Sequence, residues 1–357
     1  MTGILLVTHN SAAHIASSLE AVERWRGSED RVLVVDNHSS DATCEVVRKS
    51  NTALIANAKN LGFAGAVNQG FREFGSAVKR VLLLNPDVIL RTPIAPLVDV
   101  CDRYGLATGR LVDSVAGITQ TGFSVRRFPT PAALLFETLG INRIYPQNGV
   151  NRSYRHFDFD YTRAGLVEQP AGALLMIRRD VWVDARGFDE DFFPVWFEDV
   201  DFCLRAARLG FQTGYLPSVE GLHAGGHSVN LVPEPQRRVY WYASLLRYSR
   251  KHYRGFGRQL VSGGVLVAGV ARSTSGMLQP SKTAARISWM KVAKLGLDSF
   301  MLGRTRVDDT IGSPAVESLS PGQGLTADAV NVRSNGGAVN SSEINNTERA
   351  LKRLHAR

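Results

Sequence analysis

The chain has 357 residues, 44% of them hydrophobic and 21% charged, a balance that excludes a chain disordered throughout, a collagen-like fibre and a coiled coil. Its net charge of +9 is unevenly placed: residues 237–294 hold twelve Lys and Arg and no acid, which leaves the rest of the chain at −3. Cys44, Cys101 and Cys203 lie far apart and form neither a zinc pattern nor a disulfide framework, so a reduced, cytosolic setting is expected.

Residues 1–7 run straight into an apolar strand with no basic stretch or cleavage site ahead of it, so no secretory signal is expected. Apolar runs at 4–8, 32–36, 53–56 and 81–84 predict buried strands. The patterns at 12–25, 42–50 and 65–74 predict helices between them, with Ser39, Ser40 and Asp41 placed to cap the second. Strand–helix alternation predicts the α/β class, with parallel strands and right-handed crossovers. Polar loops then collect at the carboxyl ends of the strands, where open sheets bind ligands. Residues 105–165 read as less regular and carry Arg126 and Arg127. A strand follows at 173–177, then a loop over 187–197, a helix over 199–209 closed by Gly210, and a strand at 213–216. Residues 236–300 read as helical. From about 303 onward the chain is rich in Gly, Ser, Asn and Thr and is expected to be mostly disordered.

The basic segment interleaves its cations with Tyr240, Trp241, Tyr242, Tyr248, Tyr253 and Phe256. That mixture suits an anionic membrane surface better than nucleic acid. The apolar stretch at 260–271 is too short and glycine-rich to span a bilayer. The expectation is a cytoplasmic protein, peripheral on the inner face of the cytoplasmic membrane, with no nucleic-acid partner. The competing reading is a helical cap that packs on the rest of the chain or forms a dimer contact.

Four polar clusters sit at predicted strand ends: Thr8-His9-Asn10, Asp36-Asn37-His38-Ser39-Ser40-Asp41, the segment from Asn60 and Gly62 to Asn68, and Asn85-Pro86-Asp87. Each alone reads as a turn or cap. Four in succession line a crevice suited to a nucleotide. The spacing of Gly62, Gly65 and Gly70 fits neither a dinucleotide fingerprint nor a P-loop. Glu198-Asp199-x-Asp201 places three carboxylates at a predicted helix start. Their repulsion raises one pKa toward that of a useful base; the other reading is capping and dipole complementation.

These segments, together with Gly187-Phe188-Asp189-Glu190, Phe197-Glu198-Asp199-Val200-Asp201-Phe202 and His223-Ala224-Gly225-Gly226-His227-Ser228, resemble the inverting family 2 glycosyltransferases, in the bacterial branch that includes rhamnosyltransferases. The resemblance covers about residues 3–230. It implies a GT-A fold, a Rossmann-like mixed sheet flanked by helices. The chain then divides into a GT-A catalytic domain at 1–235, a basic helical extension at 236–302 and a tail at 303–357. It implies that Thr8 and Asp36 bind the base and ribose of a nucleotide-diphospho-sugar, with Asn10, Asn37, Asn60, Gly62 and Asn85 nearby. Asp87 would hold the diphosphate through Mg²⁺ or Mn²⁺, with His223 as a further metal ligand; the family's Asp-x-Asp has Asn85 at its first position here. Asp199 would be the base, beside Glu198, with Trp196 and Asp201 toward the acceptor. The implied activity is inverting transfer, first of all of L-rhamnose from dTDP-L-rhamnose, to a glycan or lipid-linked acceptor in cell-envelope polysaccharide synthesis. Two other readings stand beside it. A sugar nucleotidyltransferase would carry a glycine-rich basic loop, and residues 8–14 contain no Gly, Lys or Arg. A catalytically silent sugar-nucleotide-binding protein would not need Asp87 and Asp199 intact.

Overall fold

The computed structural model describes residues 1–225, 232–275 and 283–303. The tail expected past residue 303, and His227 and Ser228 of the last motif, lie outside the described residues.

Strands β1 (Thr2–Thr8), β2 (Arg31–Asp36), β3 (Ala53–Ala56) and β4 (Arg80–Leu84) pair in parallel in the order β3-β2-β1-β4. Helices α1 (Ile15–Trp25), α2 (Thr43–Lys49) and α3 (Gly62–Glu73) connect them. β1, β2 and β4 read as apolar runs because both faces are covered; β3, expected to be buried as well, is the edge strand and is only half-buried to exposed, since it has a neighbour on one side alone. Ile4, Leu6, Leu82 and Leu84 pack with Ile15, Leu19 and Val22 of α1 on one face. Leu5, Val7 and Leu83 pack with Val67 and Phe71 of α3 on the other. The expected side-chain cap of α2 is not formed: its N-cap is Ala42, and the Asp41 carboxylate, just before it, accepts from the Thr43 amide at 3.0 Å and from the Ala12 amide across the loop.

The chain continues through β5 (Val88–Leu90), α4 (Ala95–Tyr104), β6 (Gly105–Asp113), β7 (Val125–Arg126), α5 (Pro131–Leu139), α6 (Ile141–Ile144), α7 (Gly149–Tyr154), β8 (Gly165–Val167) and β9 (Gln169–Pro170). It closes the sheet with β10 (Leu174–Arg178), α8 (Arg179–Asp184), α9 (Glu198–Arg208) and β11 (Gln212–His223). β10 lies antiparallel between β4 and β6, and β11 runs parallel to β6 and antiparallel to β5 and β8, which makes a mixed nine-stranded sheet. The α/β expectation holds. Two strands exceed it. β6 is a buried nine-residue strand inside the segment read as irregular. β11 spans twelve residues where four were expected, because its register slips between Leu216 and Glu220 and breaks the alternation. That slip carries the strand on to His223.

Three more helices follow: α10 (Glu234–His252), α11 (Gly255–Ser275) and α12 (Thr283–Leu302). None of the described helices is long and apolar enough to cross a membrane. Of the aromatic residues expected at a membrane interface, Phe256 is exposed, Tyr240, Trp241 and Tyr253 are half-buried, and two are buried. Tyr242 and Tyr248 are buried in a core that joins α10, α11 and α12 to Phe192, Phe197 and Val200. Arg238 and Arg272 stack over Trp289 at 4.3 and 4.8 Å. Arg238 and Arg272 are thus committed to packing, and Lys251 to an ion pair with Asp201.

Asp201 fastens this helical layer to α9. Its fully buried carboxylate meets Arg205 at 2.7 Å, Lys251 at 2.8 Å and His252 at 2.8 Å. Burial pushes its pKa up, but His252, Arg205 and Lys251 outweigh that and hold it below the ordinary aspartate value. A depressed folded pKa stabilises the fold above the unfolded value, and the gain is lost as pH falls through the folded one. Asp201→Asn should cost about 3 kcal/mol at neutral pH, because it removes the buried charge that Arg205, Lys251 and His252 converge on. Chemical denaturation checks this, and a loss below about 1 kcal/mol, the level of an exposed pair, would remove the network from the fold's support.

Candidate active site

A cavity of about 730 Å³ opens at the carboxyl ends of β1 and β4. Thr8, His9, Asn37, Asn60, Asn85 and Asp87 line one side, and Trp196, Glu198 and Asp199 line the other.

The donor side is built on a buried scaffold. Asp36 is 1% exposed. It accepts from the Thr8 hydroxyl at 2.8 Å and from the Ser39 amide at 2.9 Å, tying the ends of β1 and β2 together. Asn10, in a left-handed turn with φ 52°, accepts from the Ser40 amide at 2.8 Å. Asn37 donates to Asn60 at 2.9 Å and to the Gly62 carbonyl at 3.0 Å. Gly62 has φ +74°, and a Cβ there would lie 2.8 Å from the Phe193 ring. Asn10, Asp36 and Gly62 are not among the residues that line the cavity; they tie together the loops that form its wall. His9, of the first polar cluster, lines the wall too; its Nδ1 sits 3.0 Å from the Asn37 carbonyl oxygen.

Asp87 and His223 come together from β4's end and β11's end. His223 Nε2 lies 3.6 Å from Asp87 Oδ1, and both side chains are almost fully buried. His223 Nδ1 lies 2.8 Å from the Gln120 amide oxygen, and the Gln120 amide donates back to the His223 carbonyl. Nδ1 must carry the hydrogen to make that bond, so Nε2 presents a lone pair toward Asp87. Nε2 has no hydrogen-bond partner. Burial lowers the His223 pKa and keeps the ring neutral, against the pull of Asp87. A buried lone pair facing a carboxylate oxygen is a fit for a cation. Among the described residues no group of three or more His, Cys, Asp or Glu could hold a metal alone. Two protein ligands suffice for a metal whose shell is completed by a diphosphate and waters.

On the other wall, the loop into α9 has positive φ at both Trp196 (82°) and Phe197 (70°), a costly backbone state that packing must enforce. Phe197 is held against Tyr248, and the Ser244 hydroxyl donates to the Val195 carbonyl at 3.3 Å. Asp199 follows at once. Its Oδ2 accepts from the Gly172 amide at 3.0 Å and its Oδ1 from the Val200 amide at 2.8 Å. Burial raises its pKa, outweighing those two amides and the nearby Arg126. Glu198 is buried, with Oε2 unpartnered, and burial followed by the charges of Asp199 and Asp201 pushes its pKa well up. Asp201, expected at the acceptor, does not line the cavity; it is the buried hub described above. Trp196 does line it.

Sequence reasoning missed the cavity's floor. Arg126 donates from Nε to the Gly122 carbonyl at 2.9 Å and lies over the rings of Phe123 and Tyr154. Arg155 donates to the same carbonyl and pairs with Glu137. Phe123 stacks on His223 at 5.2 Å. Nothing local marks these residues, since they come from the irregular middle segment.

A family model, Glycosyl transferase family 2, matches residues 3–151. Those residues resemble a family 2 glycosyltransferase domain, and the protein is a glycosyltransferase. N-acetylglucosaminyl-diphospho-decaprenol L-rhamnosyltransferase of Mycobacterium tuberculosis is 27% identical over 267 residues, 70% of this chain and 84% of that protein. Rhamnosyltransferase WbbL of Escherichia coli is 28% identical over 152 residues, 41% of this chain and 53% of that one. Among solved structures, GalNAc-T7 with UDP, GalNAc and Mn²⁺ superposes with a TM-score of 0.51 at 12% identity, over 84% of this chain and 56% of that chain. That likeness speaks for the fold, which is GT-A.

Proposed function

We propose that the protein transfers a hexose, first of all L-rhamnose from dTDP-L-rhamnose, with inversion, to a hydroxyl of a glycan or lipid-linked sugar in cell-envelope polysaccharide synthesis. The observation that carries this reading is the pairing across one cavity of a backbone-held carboxylate, Asp199, with the Asp87–His223 pair. The rhamnosyl donor and the diphospho-lipid acceptor rest on the names of the similar proteins above. An acceptor on a lipid would bring the enzyme to the cytoplasmic face of a membrane.

Inversion needs one displacement and one base. Asp199, held by the Gly172 and Val200 amides, takes the proton of the acceptor hydroxyl as its oxygen bonds to the anomeric carbon. The bond from that carbon to the donor diphosphate breaks, and its electron pair leaves on the nucleoside diphosphate. Asp87 and His223 would hold Mg²⁺ or Mn²⁺, which offsets the leaving group's charge. Thr8, Asn37, Asn60 and His9 line the place for the nucleoside, and Asn85 adds a neutral amide beside Asp87. Trp196 offers a flat face to the acceptor sugar. Arg126 adds positive charge near Asp199 without an ion pair of its own among the described residues.

The test is a panel of nucleotide sugars assayed with Mg²⁺ or Mn²⁺ for transfer to a short-chain N-acetylglucosaminyl-diphospho-polyprenol. Transfer from dTDP-L-rhamnose, with inverted anomeric configuration in the product, is the expected result. Transfer from another donor alone would overturn the rhamnosyl assignment and leave glycosyl transfer in place.

A further inference from the structure

Helices α11 and α12 pack side by side and turn apolar side chains to solvent. The Ser262 and Ser299 hydroxyls meet at 2.8 Å. A Cβ on Gly269 or Gly296 would fall 2.5 Å from the backbone of Ala293 or Leu266, so glycine is what lets the two backbones approach. Their inner faces, with Val261, Val265, Val292 and Leu295, are buried. Their outer faces are not: Val267 is 59% exposed, Met290 55% and Met301 68%. Met290, Lys294, Leu297 and Met301 fall on one face of α12 by their three- and four-residue spacing. Val267 and Val270 do the same on α11. Phe300 joins the two stripes, its ring 3.8 Å from where a Gly263 Cβ would stand, one turn before Val267.

An exposed apolar surface of this kind marks an interaction site, and the charge around it selects the partner. Lys294 stands within the stripe and is exposed. Asp298 is the sole acid between residues 237 and 302. A symmetric contact with a second copy would set this cationic face against itself. An anionic lipid surface pairs with it instead. We propose that the α11–α12 face docks on an anionic bilayer, with Val267, Met290, Leu297 and Met301 inserted among the headgroups and Lys294 at the lipid phosphates. This differs from the mode expected from the sequence: Tyr242 and Tyr248 of α10 are buried, and Tyr240 and Trp241 line the cavity, so insertion of aliphatic side chains carries the attachment and charge assists it. The proposal deepens the reading of a lipid-carried acceptor and rests on it for why the enzyme seeks a membrane.

The experiment is co-sedimentation of the full chain with vesicles of phosphatidylcholine alone and of phosphatidylcholine with phosphatidylglycerol, without donor or acceptor, so that its failure leaves the transfer reaction untouched. Binding to the anionic vesicles is expected, several-fold weaker at high salt. The double variant Val267→Glu, Leu297→Glu should bind about tenfold less or weaker still, since two inserted side chains are replaced by charges that the surface repels. Its donor hydrolysis should match the parent chain, which shows that it is folded. The proposal is overturned if the parent chain ignores anionic vesicles, binds neutral ones as well, or loses nothing in the double variant. A dimer in sedimentation velocity that the same variant dissolves would assign the face to a second copy and equally overturn it.

Discussion

Asp199→Asn should lower the transfer rate by about 10²–10⁴-fold, the usual contribution of a positioned general base, while nucleotide affinity stays near that of the parent chain. The variant removes the proton acceptor and little else, since α9 and its packing remain. An amide can accept from only one of the Gly172 and Val200 amides, so a modest loss of order at the side chain is also expected. The pH profile provides an independent check. Burial raises the Asp199 pKa above the ordinary 3.8. A raised pKa keeps the proton on to higher pH, and the base works only without it. The rate should therefore fall as pH drops through a midpoint above the ordinary aspartate value, and Asp199→Asn should abolish that limb along with the activity. Transfer within about threefold of the parent rate, far inside the range expected of a general base, would exclude Asp199 from the proton transfer.

Chelation should abolish activity, and Mg²⁺ or Mn²⁺ should restore it. Asp87→Ala should weaken donor binding as well as turnover, because the variant loses one of the two protein groups that face each other at 3.6 Å. Gln120→Leu is the sharper experiment. It leaves both ligands in place and removes the acceptor that fixes the His223 tautomer, together with the amide that donates to the His223 carbonyl. Loss of such a partner typically costs about 10–100-fold in metal affinity. Titrating the metal against nucleotide binding reads this directly, apart from catalysis. Full activity in excess chelator would transfer the neutralising task to Arg126 and Arg155, which already converge on the Gly122 carbonyl in the same cavity.

The sequence by itself determined the parallel half of the sheet and the order of the chemistry along it. The runs at β1, β2, β3 and β4, the polar residues that end them, and the acidic start of α9 are patterns among neighbours in the chain, and burial on both faces writes itself into such patterns. It located Thr8, Asp36, Asn60, Asp87 and Asp199 at element ends, where the structure has them. Only the tertiary structure decided which of these face the cavity. Asp36 and Asp201 are both acids at element ends, yet one braces two strands and the other holds Arg205 of its own helix and Lys251 and His252 of α10, the last two supplied from about fifty residues along the chain. The antiparallel insertion of β10 between β4 and β6 brings Gly172 to Asp199, and the slipped register of β11 brings His223 to Asp87 and Gln120. Arg126 and Arg155 were invisible for the same reason, as was the burial of Tyr242 and Tyr248. Periodicity records whether a residue is buried; it carries no record of what lies on the other side, because contacts between distant segments are set by how the layers pack and leave no spacing in the chain.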